Sequence, residues 1–343
     1  MNADTSIARA SATRGPALRR IAWRLVAHAG STRTLLALLA LLAAVVFARP
    51  AWAPLAAVLG LLGACLAAAL GVHPRLRRQP ALLVTHLALV ALVVLVGLGR
   101  LLALDGRFEL TQGVAFDGQL LDGERGAWHR ERLHALRFRH HGFEVDYAAG
   151  RRRGATRNAV EWLDDEGRTH AAVIGDHRPL VIDGHRIYTS PNKGYAPLLR
   201  WLPEGGGEPV VGAVHLPSYP AQELRQWRAW TLPGAAEAWV QLDLDGEEPI
   251  ARDAPAVFRL PQRPRLVVRV AGVRAVLAPG DELAVPGGRL RFEALTTWMG
   301  YRISHDPTLP WLLAVALLAC AAMAWHWVAA CRDTLARPER HDG

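Results

Sequence analysis

Lysine is almost missing from this 343-residue chain: Lys193 is the only one, and arginine supplies the other basic side chains. A bias that extreme reflects nucleotide composition rather than chemistry. Cysteine is scarce too. Cys65 and Cys320 lie inside apolar runs, Cys331 closes one, and residues 105–308 contain none. With no CxxC, dithiol chemistry is excluded, as is a disulfide within that long polar block. No GxSxG, phosphate-binding P-loop or HExxH occurs, which removes the motifs of the common hydrolases, nucleotidases and zinc proteases. Acidic residues are lacking outside the polar block. Of the 31 Asp and Glu, 27 lie within 105–308, where 26 Lys and Arg balance them, so 14 arginines elsewhere face 4 acids. The net charge of +9 therefore sits beside apolar segments, which is a membrane-topology signal and not a nucleic-acid patch.

What is present is dominated by four apolar runs: Thr34–Ala48, Trp52–Val72, Ala81–Leu104 and Leu309–Ala330. Each is near the ~20 residues a membrane-spanning helix needs. Ala51-Trp52-Ala53 resembles a small-residue cleavage site, but the second run follows at once, favouring a helical bundle over a removed leader. Arginines set the orientation. Arg9, Arg14, Arg19, Arg20, Arg24 and Arg33 precede the first run. Arg75, Arg77 and Arg78 fill the link after the second, and Arg332, Arg337 and Arg340 follow the fourth. The positive-inside rule puts all three groups in the cytoplasm, and the Arg49-Pro50-Ala51 link and residues 105–308 outside. Gly60, Ala64 and Ala68 form a small-residue row suited to close helix contact. Asp306 or Thr308 can cap the last helix, with Pro310 in its first turn.

The outer block reads as β. Leu136 and Phe138, then Phe143, Val145 and Tyr147, alternate on either side of His141-Gly142. Asp183-Gly184, Asp245-Gly246 and Gly287-Gly288 mark turns between alternating segments. The pattern predicts a sandwich or open barrel. Residues 203–234, rich in Pro, Gly and Trp, fit no period and read as an excursion or a join between two lobes. Trp227 and Trp230 read as packing or interface residues.

Two histidines stand out because they lie in apolar runs. His86 sits about six residues into the third span, which is ~9 Å deep from the cytoplasmic side at ~1.5 Å per residue. An ionisable side chain there is a functional-site candidate by default, and neutral imidazole is a frequent haem or metal ligand. The competing role for His86 is a helix–helix hydrogen bond. His326 lies at similar depth in the fourth span, but between Trp325 and Trp327, the composition of an interface anchor. The outer block adds His129, His134, His140, His141, His170, His177, His185, His215 and His305, at spacings that match no structural zinc signature and that read as solvent-exposed. The neighbours His140 and His141 would face opposite sides of a strand. Ser190 near Asp183 and His185 reads as a coincidental neighbour on a hairpin, and the acids Asp164, Asp165 and Glu166 before Gly167 as a solvated turn.

The layout of spans, the helix LLVTHLALVALVVLVGLGRLLALDG, the stretch PLVIDGHRIYTSPNKGYAP and the terminal WMGYRISHDPTLPWLLAVALL together resemble the ResB (CcsB) family of system II cytochrome c biogenesis proteins. The resemblance covers most of residues 34–331. It implies an integral membrane protein with three N-terminal transmembrane helices and one C-terminal one, flanking an extracytoplasmic mainly-β domain in a bacterial cytoplasmic membrane. It also implies a subunit of a cytochrome c synthase complex that moves haem b outward with a CcsA (ResC) partner and presents it to apocytochrome c. A separate thiol-reducing protein would keep the apocytochrome cysteines free. The family's proposed transmembrane haem ligand matches His86, and His326 is the weaker candidate; no catalytic residue and no further metal is implied. No tryptophan-rich haem motif is present, so the chain alone would not be a complete synthase. The competing classes are a haem-free membrane scaffold and a membrane-anchored ligand-binding protein.

The expected division is a basic tail (1–33), three spans (34–104), a β domain (105–308), a fourth span (309–331) and a second tail (332–343). A reporter fused after Gly167 should be active only outside the cytoplasm; cytoplasmic activity would overturn the four-span topology.

Overall fold

The computed structural model describes residues 19–48, 52–130, 133–164, 166–231 and 237–335. Arg9, Arg14, the Arg49-Pro50-Ala51 link, Asp165, the end of the 203–234 excursion, Arg337 and Arg340 lie outside them. The chain divides into two compact units, Ala103–His305 and the flanking segments.

The flanking unit is helical. Helix α1 (Arg19–Ala29) meets α2 (Thr32–Ala48) at a 52° bend. Then follow α3 (Trp52–Val72), the short α4 (Pro74–Arg78), α5 (Pro80–Leu102) and, after the β domain, α6 (Leu309–Leu335). Three helices, over Pro54–Val72, Pro80–Leu102 and Leu309–Arg332, are long and apolar enough to cross a membrane, and the bent α1–α2 pair qualifies only if taken as one span. The first expected run is therefore a helix, but one of 17 residues joined to a basic helix at a break.

Helix α5 packs against both α3 and α6, and α3 against α2. Of the expected small-residue row only Ala68 makes a close approach, its carbonyl carbon 2.9 Å from where a Cβ on Gly30 would stand; a Cβ on Gly60 would meet nothing within 4 Å, and Ala64 is exposed. The buried face of α3 is instead Val58, Leu62, Cys65 and Leu66, with a Cβ on Gly63 3.3 Å from Val93. Spacing alone identified a small-residue row but not the face turned to a neighbour. On α5, Gly99 gives close approach, since a Cβ there would lie 2.6 Å from Thr308 Oγ1. Thr308 is held by Asp306, whose Oδ1 accepts from its amide (2.9 Å) and hydroxyl (2.7 Å), which fixes the start of α6 as the capping pattern indicated.

The β unit holds three antiparallel sheets. Its frame is two long strands, β7 (His185–Pro203) and β15 (Gly288–His305), paired along most of their length with bulges near Glu293 and Gly300. Around them stand β1 (Leu104–Thr111), β2 (Asp122–Arg125), β6 (Leu180–Ile182), β8 (Val210–Ala213) and β14 (Glu282–Val285). The second sheet is β13 (Val273–Leu277), β12 (Arg265–Val270), β10 (Glu237–Asp243) and β9 (Trp227–Thr231); the third is β11 (Ala256–Val257), β3 (Phe138–Ala148), β4 (Arg152–Leu163) and β5 (Thr169–Ile174). Leu104, assigned above to the third span, is instead the first residue of β1, paired with His305. Asp183-Gly184 closes the β6–β7 hairpin with both residues at positive φ. His141-Gly142 is a bulge inside the single strand β3.

Two hydrophobic cores result. One gathers Tyr195, Leu199, Leu290 and Phe292 with Val240, Leu266 and Val268. The other gathers Ile187, Met299, Tyr301 and Ile303 with Phe108, Phe138 and Val160. Trp230 packs on the first, while Trp227 is largely exposed against Trp239.

The reading of the outer histidines as exposed holds for His134, His141, His170 and His177 but fails for the rest. His140 and His185 are buried, and His129, His215 and His305 half-buried. His140 shows why. Its Nε2 donates to the Leu110 carbonyl (3.2 Å) and its Nδ1 accepts from Asn158 (3.3 Å). Asn158 also donates to the Gly142 carbonyl (2.7 Å) and accepts from the Tyr301 hydroxyl (2.8 Å). A buried polar group is tolerated when every atom is paired. Burial lowers the His140 pKa to about 4, outweighing its bond to Leu110. Its imidazole thus stays neutral in the fold at pH values where the unfolded chain takes up a proton. Stability conferred by this group should fall as pH drops from 6.5 towards 4, and His140→Gln should flatten that slope in denaturant titrations at stepped pH.

Candidate functional site

His86 faces a pocket of about 300 Å³ in the helical unit. The break between α1 and α2 contributes Gly30, Ser31, Thr32 and Leu35, and α3 contributes Cys65, Leu66 and Ala69. His73 comes from the α3–α4 turn, Arg75 and Leu76 from α4, and Leu82 and His86 from α5. The walls are mostly apolar and the polar groups few, which is the usual make-up of a small-molecule site.

Two contacts order it. The His73 Nε2 donates to the Gly30 carbonyl (3.1 Å), tying the turn after α3 to the α1–α2 break. The His86 Nδ1 donates to the Leu82 carbonyl one turn earlier (3.0 Å). That bond satisfies one ring nitrogen within its own helix and leaves Nε2 as the nitrogen with the lone pair. A histidine ligand is normally oriented in this way. Gly30 is required at the break because a Cβ would stand 2.8 Å from the Ala69 amide nitrogen. The residues that sequence reasoning missed here are His73, Arg75 and Cys65. The arginines of the link were read for topology alone, although a histidine directly before them was a usable signal.

His326 does not line this pocket. It packs beside Trp327, at 6.4 Å between ring centroids, and both flanking tryptophans are exposed. His86 and His326 thus do not share this pocket.

The β unit offers weaker arrangements. His215 donates from Nδ1 to Glu109 (2.9 Å), accepts at Nε2 from the Thr111 hydroxyl (2.8 Å) and stacks on Trp298. The chain of carboxylate, imidazole and hydroxyl resembles a nucleophile relay, but Thr111 is buried and does not open onto the adjoining pocket lined by Glu109, Arg228 and Trp298. A shallow pocket of about 500 Å³ includes Asp164, whose carboxylate is already bound to His170 and Arg168. Ser190 accepts from the Asn192 amide, a turn contact. The sole lysine, Lys193, is buried with its amine 5.6 Å from the Tyr147 ring centre and its pKa lowered to about 8, mainly by burial.

Compared with protein-family models and with curated proteins, the chain finds no match.

The pocket depends on the Gly30 approach. Gly30→Ala should cost about 1–3 kcal/mol by overpacking against α3, seen as a lowered thermal midpoint of the detergent-solubilised chain, whereas Gly60→Ala should be neutral.

Proposed function

We propose that the chain is a ResB-like subunit of a cytochrome c maturation system, embedded in a bacterial cytoplasmic membrane with its β domain on the outer side, and that haem is its cargo. The observation that carries this reading is the pocket at His86: an imidazole in an apolar helix, its Nδ1 committed to Leu82 and its Nε2 available, beside a cavity with one further histidine and one arginine. Its chemistry suits haem. Iron takes a neutral imidazole nitrogen, an apolar wall takes the porphyrin edge, and Arg75 is a counter-charge for a propionate. A pocket of about 300 Å³ holds part of a haem rather than all of it. That favours a site completed by a partner helix, in keeping with a CcsA-type protein that carries the rest of the haem path.

The loop arginines support an orientation in which His86 would lie nearer the cytoplasmic face, where the cargo is made. Among the described residues the β domain contains no cysteine, so reduced thiols for attachment to apocytochrome c would come from a separate protein.

The chain co-purified with its membrane partner should show a Soret band that His86→Ala diminishes at least severalfold, and added imidazole should restore it in His86→Gly. An unchanged spectrum in His86→Ala would remove the ligand assignment. A complex that assembles but never carries haem would leave a scaffold.

A further inference from the structure

The β unit brings together three histidines that are far apart in sequence. His185 opens β7, His305 ends β15, and His129 lies in the loop after β2. Their ring centroids are 4.4 Å apart for His185 and His305, 5.9 Å for His129 and His185, and 5.6 Å for His129 and His305. His185 is buried, yet neither of its ring nitrogens has a hydrogen bond of normal geometry, and the buried Nδ1 of His305 lacks one too. Most buried polar atoms are paired, and an orphaned one costs about 1–3 kcal/mol. The contrast with His140 is sharp: there every ring nitrogen has a partner.

We propose that His129, His185 and His305 form a binding site for a divalent first-row transition-metal ion, zinc being the reference case. The spacing is what such a site needs. With metal–nitrogen bonds of about 2.0 Å and tetrahedral angles, three imidazole ring centres stand roughly 5 Å apart. The observed triangle brackets that value. Among the described residues no three side chains of ligand type already converge on one point, so binding requires the rings to turn about their side-chain torsions. Turning His185 gives up only misaligned approaches to the Asp183 and Ile182 backbone, and its ring nitrogens gain a ligand. The backbone of the site is otherwise fixed. His185 and His305 sit on neighbouring strands of the long ladder, and Gly184 lies so close that a Cβ would be 3.2 Å from the His305 ring. Three imidazoles leave a fourth position for water or an exogenous ligand. This site is independent of the haem reading.

The test uses the full-length chain in detergent, stripped with chelator and titrated with Zn²⁺ or Co²⁺ alone. One Co²⁺ per chain should bind with the intense visible d–d bands of tetrahedral coordination, and Zn²⁺ should displace it and raise the thermal midpoint. His185→Ala and His305→Ala should each weaken binding at least about tenfold, while the exposed pair His170→Ala/His177→Ala should leave it unchanged. If His185→Ala misfolds, the half-buried His305 and His129 variants carry the comparison. Absence of tetrahedral bands and of Zn²⁺ stabilisation in the unmutated chain, or binding that survives loss of His305 and His129, would overturn the proposal.

Discussion

The ladder between β7 and β15 is the constraint on which the β domain depends. Each strand is long enough to serve both cores, so one pair of strands carries Tyr195, Leu199 and Phe292 into one lobe and Ile187, Tyr301 and Ile303 into the other. Period-2 alternation makes this possible only while the register holds. The bulges near Glu293 and Gly300 adjust it between the lobes. At Gly300 a Cβ would fall 2.5 Å from Ser190 Oγ, so the second bulge tolerates no side chain. Lys193 is buried between β7's contributions to the two cores, its stem useful as packing and its amine held at reduced basicity.

The helical unit obeys a different rule. Its packing relies on particular close approaches: Gly30 on the α3 backbone, Gly63 on Val93, and Gly99 on the Asp306–Thr308 cap. Where such positions coincide with polar groups, a pocket with chemical character results. Gly30 offers its carbonyl to His73 because the chain breaks there, and the same break opens space beside His86.

Much of this was legible in the residues. The helix boundaries Trp52–Val72 and the start at Leu309 match the apolar runs, since hydropathy is a local property. The Asp183-Gly184 turn was readable because φ > 0 at two successive residues demands that chemistry. The histidines were not. Whether His140 is buried depends on Asn158, 18 residues further along, and on Tyr301, 143 residues beyond Asn158, and no spacing rule spans such separations. Gly60 and Ala64 of the small-residue row failed for a related reason, while Ala68 meets Gly30: an evenly apolar helix carries no mark of which face meets a neighbour. The bend before Thr32 was hidden because the apolar run was counted without the basic helix ahead of it.

The strand order also sets a timetable. β15 lies between β1 and β7, yet it is the last strand to be made. As the chain emerges from its N-terminus, β1 and β7 must wait with bare edges until residue 305 has been synthesised. The seven-stranded sheet therefore closes late, and its waiting edges depend until then on protection from strand-to-strand association.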